Sequence, residues 1–313
     1  MIPGKAAPAG TTRSVHLVEV GPRDGLQNEA RELALAVKVE LIERLAACGL
    51  QEIEAGAFVS PKRVPQMADS AQVLAAIRAQ ERFASLHFPV LVPNLQGFEA
   101  ACAAGAQRIA VFAAASESFS QRNIQCSIEE SLRRFEPVLA AAGAARIPVR
   151  GYLSCVVACP YEGPIAPAKV AQVAAQLRDM GCYEVSLGDT IGAGTPGTVL
   201  PMLEAVARAI PIRQLAGHFH DTYGMAVANV HTSYEFGLRT FDASVGGLGG
   251  CPYAPGASGN VATEDLVYLF DGLGVHSGVD LQALQECGAW ICAQLGRASN
   301  SRAGTALARR VKN

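Results

Sequence analysis

The segment His218-Phe219-His220 places two imidazoles at positions i and i+2. On a β-strand those side chains share one face, so both rings can reach one metal ion. The competing use is a pair of hydrogen-bonded core histidines, and oxygen donors at the same place favour the metal. Asp24 and Asn260 are the candidate donors. Two nitrogens and two oxygens, with positions left for substrate oxygens, suit an octahedral Mg²⁺ or Mn²⁺ better than a closed tetrahedral zinc site, although zinc or cobalt can substitute. Arg23 adjoins Asp24, and a guanidinium there can hold an enolate or carboxylate oxygen; its plainer use is a surface ion pair. Glu54 and Asp189 fall in strand-like runs, where an unpaired charge is costly. They are expected to pair with Arg23, the metal or the substrate, and for Glu54 a structural salt bridge to Arg23 competes. Cys251 closes the run Gly246-Gly247-Leu248-Gly249-Gly250-Cys251. So many glycines give hinge freedom and close backbone approach, so the run reads as a lid that can carry a thiol into a site. The remaining cysteines form no CxxC pair and no zinc-ribbon spacing, and they read as reduced packing residues, with Cys155 and Cys159 near a rim.

These groups need a frame. Short β-rich runs recur at Val15–Val20, Glu52–Ala55, Phe88–Val92, Arg108–Phe112, Val149–Ser154, Glu184–Leu187, Leu215–His220 and Thr240–Ser244. Between them lie Ala/Leu-rich stretches such as Ala34–Cys48, Ile128–Ala142, Pro167–Met180 and Pro196–Ile210, long enough for helices. Gly49, Gly105, Gly181 and Gly237 stand where helices should stop. Eight strand–helix units predict parallel strands with right-handed crossovers, closed into an α/β (β/α)₈ TIM barrel. The rival open sheet should carry a GxGxxG turn after its first strand, and Gly21-Pro22-Arg23-Asp24-Gly25 is not one. Residues 15–278 are expected to form the barrel, 1–14 a frayed terminus, and 279–313 a helical extension over the outside or bottom. In such a barrel chemistry sits at the C-terminal strand ends. Arg23-Asp24, Glu54, Asn94, Ser116-Glu117, Ser186 with Asp189, His218 with His220, and finally Cys251 and Asn260 all fall there.

Composition narrows the partners. The chain has 313 residues, half of them apolar, with net charge −2 and no basic run, so nucleic acid is not an expected partner. The longest apolar stretch, Pro137–Ala145, is far short of the ~18 residues that suggest a membrane span. The opening MIPGKAAPAGTT lacks a basic-then-apolar signal, so the cytoplasm is the expected compartment.

Several motifs together resemble one family. VEVGPRDGLQNE (18–29), FVSPK (58–62), CSIEES (126–131), CPYEG (159–163), EVSLGDTIG (184–192), HDTYG (220–224) and GGLGGCPYAPGASGNVATEDLVY (246–268) are similar to the 3-hydroxy-3-methylglutaryl-CoA lyase family of metal-dependent acyl-CoA barrels. The resemblance runs from about residue 15 to residue 296, and the cysteine loop with HxHDTYG separates it from the related condensing synthases. It implies Asp24, His218, His220 and Asn260 as metal ligands and Arg23 and Cys251 as catalytic, with Glu54, Ser186 and Asp189 supporting substrate and metal. The implied reaction is retro-Claisen cleavage of an acyl-CoA to acetyl-CoA and acetoacetate, as in leucine breakdown and ketone-body formation, by a homodimer. His218, Asp189 and a metal-bound water all stand as the base. The alternatives are a lyase for a longer 3-alkyl homologue such as the isohexenyl one, a condensing synthase, or an inactive barrel that only binds. Ala57, Ala30, Arg63 and Gly296 depart from the family pattern, which predicts altered acyl and CoA contacts: a missing hydroxyl near the acyl group at Ala57, and a weaker phosphate contact at Ala30 that Arg31 or another basic residue can restore.

Overall fold

The computed structural model describes residues 13–250 and 259–310. Parallel strands circle one axis in chain order: β1 (His16–Glu19), β2 (Glu52–Ile53, resumed at Gly56–Ala57), β3 (Val90–Leu91), β4 (Ile109–Ala114), β5 (Val149–Ser154), β6 (Glu184–Asp189), β7 (Leu215–Phe219) and β8 (Thr240–Ala243). Among the described residues they form a ladder of nine segments, two of which are the halves of β2. The first half pairs with β1 and the second with β3. Between the halves, the Glu54 N–H donates to the Glu19 carbonyl at 2.8 Å and the Ala55 N–H to the Pro89 carbonyl at 2.9 Å. The two edges of the sheet therefore belong to one strand, and the sheet is a closed barrel, as the alternating pattern predicts.

Helices pack around this ring. α1 (Leu35–Ala47) shows why: Lys38, Leu41, Ile42 and Leu45 recur at helical spacing and are its buried positions. Gly49, Gly105, Gly181 and Gly237 all take positive φ where helices end, as predicted. Boundaries differ in places. β3 is shorter than the expected 88–92 because Pro89 has no N–H to give the ladder and only its carbonyl is used. β6 runs on to Asp189, two residues past the expected end at Leu187.

The C-terminal helices α10 (Leu281–Leu295) and α11 (Arg302–Arg310) lie against the outside of the barrel. α10 packs on α1 and on the turn Val245–Gly247, while α11 packs on α9 (Thr263–Gly272) and α10. Asn300 N–H donates to the Gly246 carbonyl at 2.9 Å, and Arg302 reaches Asp221 at 3.4 Å, so the extension supports loops at the mouth. Close approach makes this possible: a Cβ on Gly288 of α10 would sit 2.2 Å from Glu264 Oε1. The expected frayed segment 1–14 lies outside the described residues apart from Arg13 and Ser14.

Candidate metal centre and acyl site

β1 delivers Arg23 and Asp24 through a wide turn, Gly21–Gly25, in which the Leu26 N–H reaches back five residues to the Gly21 carbonyl. Such turns aim consecutive side chains in directions an α-helix does not offer. Arg23 is buried, donates from Nε to Glu54 Oε2 at 2.7 Å and from Nη1 to Asp24 Oδ1 at 2.9 Å, and lies 5.3 Å from the Tyr152 ring centroid. Its charge is thus fixed from both sides, and these carboxylates hold its pKa above the ordinary arginine value against the opposing effect of burial.

The other oxygen of Asp24 faces the histidines. Asp24 Oδ2 is 3.9 Å from His218 Nε2 and 4.0 Å from His220 Nε2, and it accepts from Asn260 Nδ2 at 2.8 Å. Ligand atoms of Asp24, His218 and His220 all lie within 4.8 Å of one another. Burial alone would raise the Asp24 pKa, but Arg23, His218 and His220 outweigh it and bring it to about 2. Burial, reinforced by His218, depresses His220 to about 4, which keeps that ring neutral with a free lone pair. For His218 burial is outweighed by Asp242 and Asp24, and its pKa rises.

One buried atom tests whether the donor set fits a cation. Asn260 Oδ1 is fully covered and has no hydrogen-bond partner. An orphaned buried carbonyl oxygen costs about 1–3 kcal/mol, which coordination would offset. A carboxylate, an amide oxygen and two imidazoles match a divalent cation of mixed oxygen and nitrogen preference.

The cluster ends a cavity of about 790 Å³. Arg23, Ser186 and His218 line its polar end, Leu91, Phe112 and Phe119 its apolar wall, and the exposed Arg63 and Arg122 also border it. The remaining predicted residues are placed as follows. Glu54 is fully buried behind Arg23, as expected, with its pKa raised by burial and only partly restored by Arg23. Ser186 lines the cavity, yet its hydroxyl donates to Asp242 Oδ2 at 2.6 Å. Asp189 does not border the cavity; it accepts from the N–H groups of Gly194 at 2.7 Å and Ala193 at 3.2 Å, and burial raises its pKa to about 6. It holds the β6 loop instead of pairing with Arg23. Cys251 lies outside the described residues; Gly250 before it accepts from Asn28 Nδ2 at 2.9 Å. Cys155 and Cys159 sit in a small apolar cluster with Ala114 and Phe119, as packing residues should.

The departures from the family pattern divide in the same way. Ala57 belongs to the core and is not among the residues that line the cavity. Arg63 borders the cavity and brings a charge to it. Gly296 ends α10 at φ 71°, a conformation that Gly and Asn both accept. Three residues escaped the sequence reading: Asp242, Arg150 and Tyr152. The signal for Asp242 was available only through register, since it is the β8 partner of His218.

Fold and site together define an α/β barrel with a carboxylate–imidazole cluster able to hold a cation and a fixed arginine bordering one cavity. The HMGL-like family model matches residues 14–291, and the chain belongs to that family. It is 59% identical to a hydroxymethylglutaryl-CoA lyase of Pseudomonas mevalonii over 95% of this chain and 98% of the relative. It is 58% identical to a 3-hydroxy-3-isohexenylglutaryl-CoA/hydroxy-methylglutaryl-CoA lyase of Pseudomonas aeruginosa, over 94% of this chain and 97% of that one. The crystal structure of a hydroxymethylglutaryl-CoA lyase from Pseudomonas aeruginosa superposes with a TM-score of 0.92 at 57% identity, covering 96% of this chain and 99% of the other.

Proposed function

We propose that this chain is a carbon–carbon lyase that cleaves 3-hydroxy-3-methylglutaryl-CoA to acetyl-CoA and acetoacetate. The observation that carries the reading is the juxtaposition of the Asp24–His218–His220 cluster with Arg23 at the polar end of one cavity. Asp24, His218, His220 and Asn260 would hold a divalent cation, Mg²⁺ or Mn²⁺ by donor type. A cation held there would supply Lewis-acid polarisation of substrate oxygen.

The rest follows from the chain's own groups. The C3 hydroxyl proton leaves to a base at the polar end of the cavity. The C2–C3 bond breaks, C3 becomes the ketone carbon of acetoacetate, and the electron pair stays on C2 as a thioester enolate. Arg23 faces that developing charge already oriented by Glu54 and Asp24, so little reorganisation is needed when the charge appears. Cys251 returns a proton to C2 and completes acetyl-CoA. Asp189, engaged by backbone amides, supports the β6 loop.

A second reading concerns the 3-substituent. The wall of Leu91, Phe112 and Phe119 is apolar, and a longer alkenyl chain would bury there favourably. One assay addresses both: acetyl-CoA release from 3-hydroxy-3-alkylglutaryl-CoA thioesters of increasing chain length, with Mg²⁺ and after EDTA. Release from the methyl thioester that EDTA abolishes and Mg²⁺ restores is expected; no release from any thioester sinks the lyase reading. No helix among the described residues is long and apolar enough to cross a membrane. A cytoplasmic homodimer completes the proposal, and sedimentation and cell fractionation test it.

A further inference from the structure

We propose that Asp242 is a positioning residue: it fixes the His218 ring in the tautomer that carries its proton on Nδ1, so that Nε2 presents a lone pair beside Asp24 and His220. The inference rests on the metal-centre reading above and adds a residue to it.

Register brings the two groups together. His218 on β7 and Asp242 on β8 are direct partners in the parallel ladder, and both side chains are buried. Asp242 Oδ2 lies 3.2 Å from His218 Nδ1 and accepts from the Ser186 hydroxyl at 2.6 Å. Its other oxygen accepts from Arg150 Nη2 at 2.7 Å. A carboxylate only accepts, so the imidazole nitrogen facing it must be the donor. The proton then sits on Nδ1, and the opposite nitrogen, 3.9 Å from Asp24 Oδ2, is left as an acceptor.

Arg150 holds Asp242 in place. It is fully buried and is itself anchored, donating from Nε to Glu184 at 2.8 Å and from Nη1 to the Tyr152 hydroxyl at 3.1 Å. The second imidazole lacks such a holder: His220 Nδ1 has no hydrogen-bond partner. The two rings are therefore held unequally, and the stronger constraint falls on His218. A carboxylate behind a ligating imidazole typically changes metal affinity by about 10–100-fold when removed.

Asparagine at 242 discriminates well, because it keeps the shape and halves the acceptors. If its oxygen stays with Arg150, its NH₂ faces Nδ1, and the His218 proton is driven to Nε2, against Asp24. Mn²⁺ binding to Asp242→Asn, followed by electron paramagnetic resonance, should weaken about 10–100-fold. Glu184→Gln, which disturbs only the far side of Arg150, should stay close to the parent. ¹⁵N NMR of the metal-free parent, with the His218 signal assigned by its loss in His218→Asn, should report an Nδ1-protonated ring, and this needs no folded Asp242 variant. A neutral parent ring protonated on Nε2 alone overturns the proposal, and so does parental Mn²⁺ affinity in a folded Asp242→Asn. A parent with the Nδ1–H tautomer that binds no Mn²⁺ instead sinks the metal centre while leaving the tautomer assignment standing.

Discussion

Arg23 has two partners and one proposed task, and the two can be separated by experiment. Its guanidinium is fastened by Glu54 and Asp24, so removing it deletes a charge without emptying a large core position. Arg23→Met should leave the fold intact, because Glu54, whose pKa is already raised, can take up a proton once its partner is gone. The loss should fall on kcat rather than KM, on the order of 10²–10³, as for a lost transition-state donor. A kcat within a few-fold of the parent would reduce Arg23 to a structural partner of Glu54.

The cysteines give a second test at the same scale. Of the eight that are described, seven are buried while Cys102 is half-exposed. Burial pushes Cys48 and Cys182 up to about 12 and Cys292 to about 11, so these thiols stay protonated and slow to react near neutral pH. An alkylating agent should therefore modify Cys251 first, with activity lost in step and protected by a saturating substrate analogue. Cys251→Ala should bind metal and thioester yet fail to turn over. Full activity with Cys251 fully modified would leave the loop as a cover without a proton to deliver.

The elements that carry these residues are tied together beneath the mouth. Glu19, fully buried at the end of β1, accepts from Gly21 N–H at 2.8 Å, Val245 N–H at 2.9 Å and the Thr263 hydroxyl at 2.6 Å. Glu264 on α9 accepts the Gly246 N–H at 3.0 Å. One pair of carboxyl groups thus joins the Arg23–Asp24 turn to the base of the glycine loop. Gly246 and Gly247 take φ of 64° and 60°, which lets successive N–H groups turn inward to this pair. Burial lifts Glu19 to about 7 and Glu264 to about 8, from 4.5. The folded chain then keeps protons that the unfolded chain has released above pH 4.5. Their stabilising contribution is full below that pH and is lost as pH rises through 7 to 8, by about 1.4 kcal/mol per tenfold difference in proton affinity. In metal-free protein the urea midpoint should fall between pH 5 and pH 8. Glu264→Gln, which keeps an oxygen for Gly246 but cannot ionise, should flatten that fall; equal slopes in the two proteins would exclude Glu264 as its source.

Much of this layer can be read in the sequence, and the limits are physical. Strand–helix alternation and helix-ending glycines depend on local propensity, so the barrel and its helix stops are legible. His218 and His220 are legible as a pair because a strand has a period of two. Asp242 is not, because its meaning depends on which residue lies opposite across the ladder, a non-local fact. Asp189 is a related case: a carboxylate at a strand end faces the cavity or the following loop according to backbone turns that composition does not record, and here it accepts from the Ala193 and Gly194 amides. The lid thiol came from motif resemblance and glycine content, and Cys251 remains outside the described residues.

At the scale of the whole molecule, the ring of strands is joined through β2, where Glu54 turns its N–H to β1 and Ala55 turns its own to the segment before β3. The residue that fastens Arg23 is therefore also a link in the barrel's circumference. Parting the sheet at this link would shift the residue whose carboxylate holds the guanidinium, which makes the site a clasp on the fold. Amide hydrogen exchange can read the clasp directly. A substrate analogue at 100 times its Kd stabilises the closed form by about 2.7 kcal/mol, so exchange at Glu54 and Ala55 should slow on the order of 100-fold. Amides of the C-terminal helix α11, which lies off the ring, should slow much less. Equal protection at both places would mean that the barrel opens only by unfolding as a whole, and that occupancy of the site has no special hold on its seam.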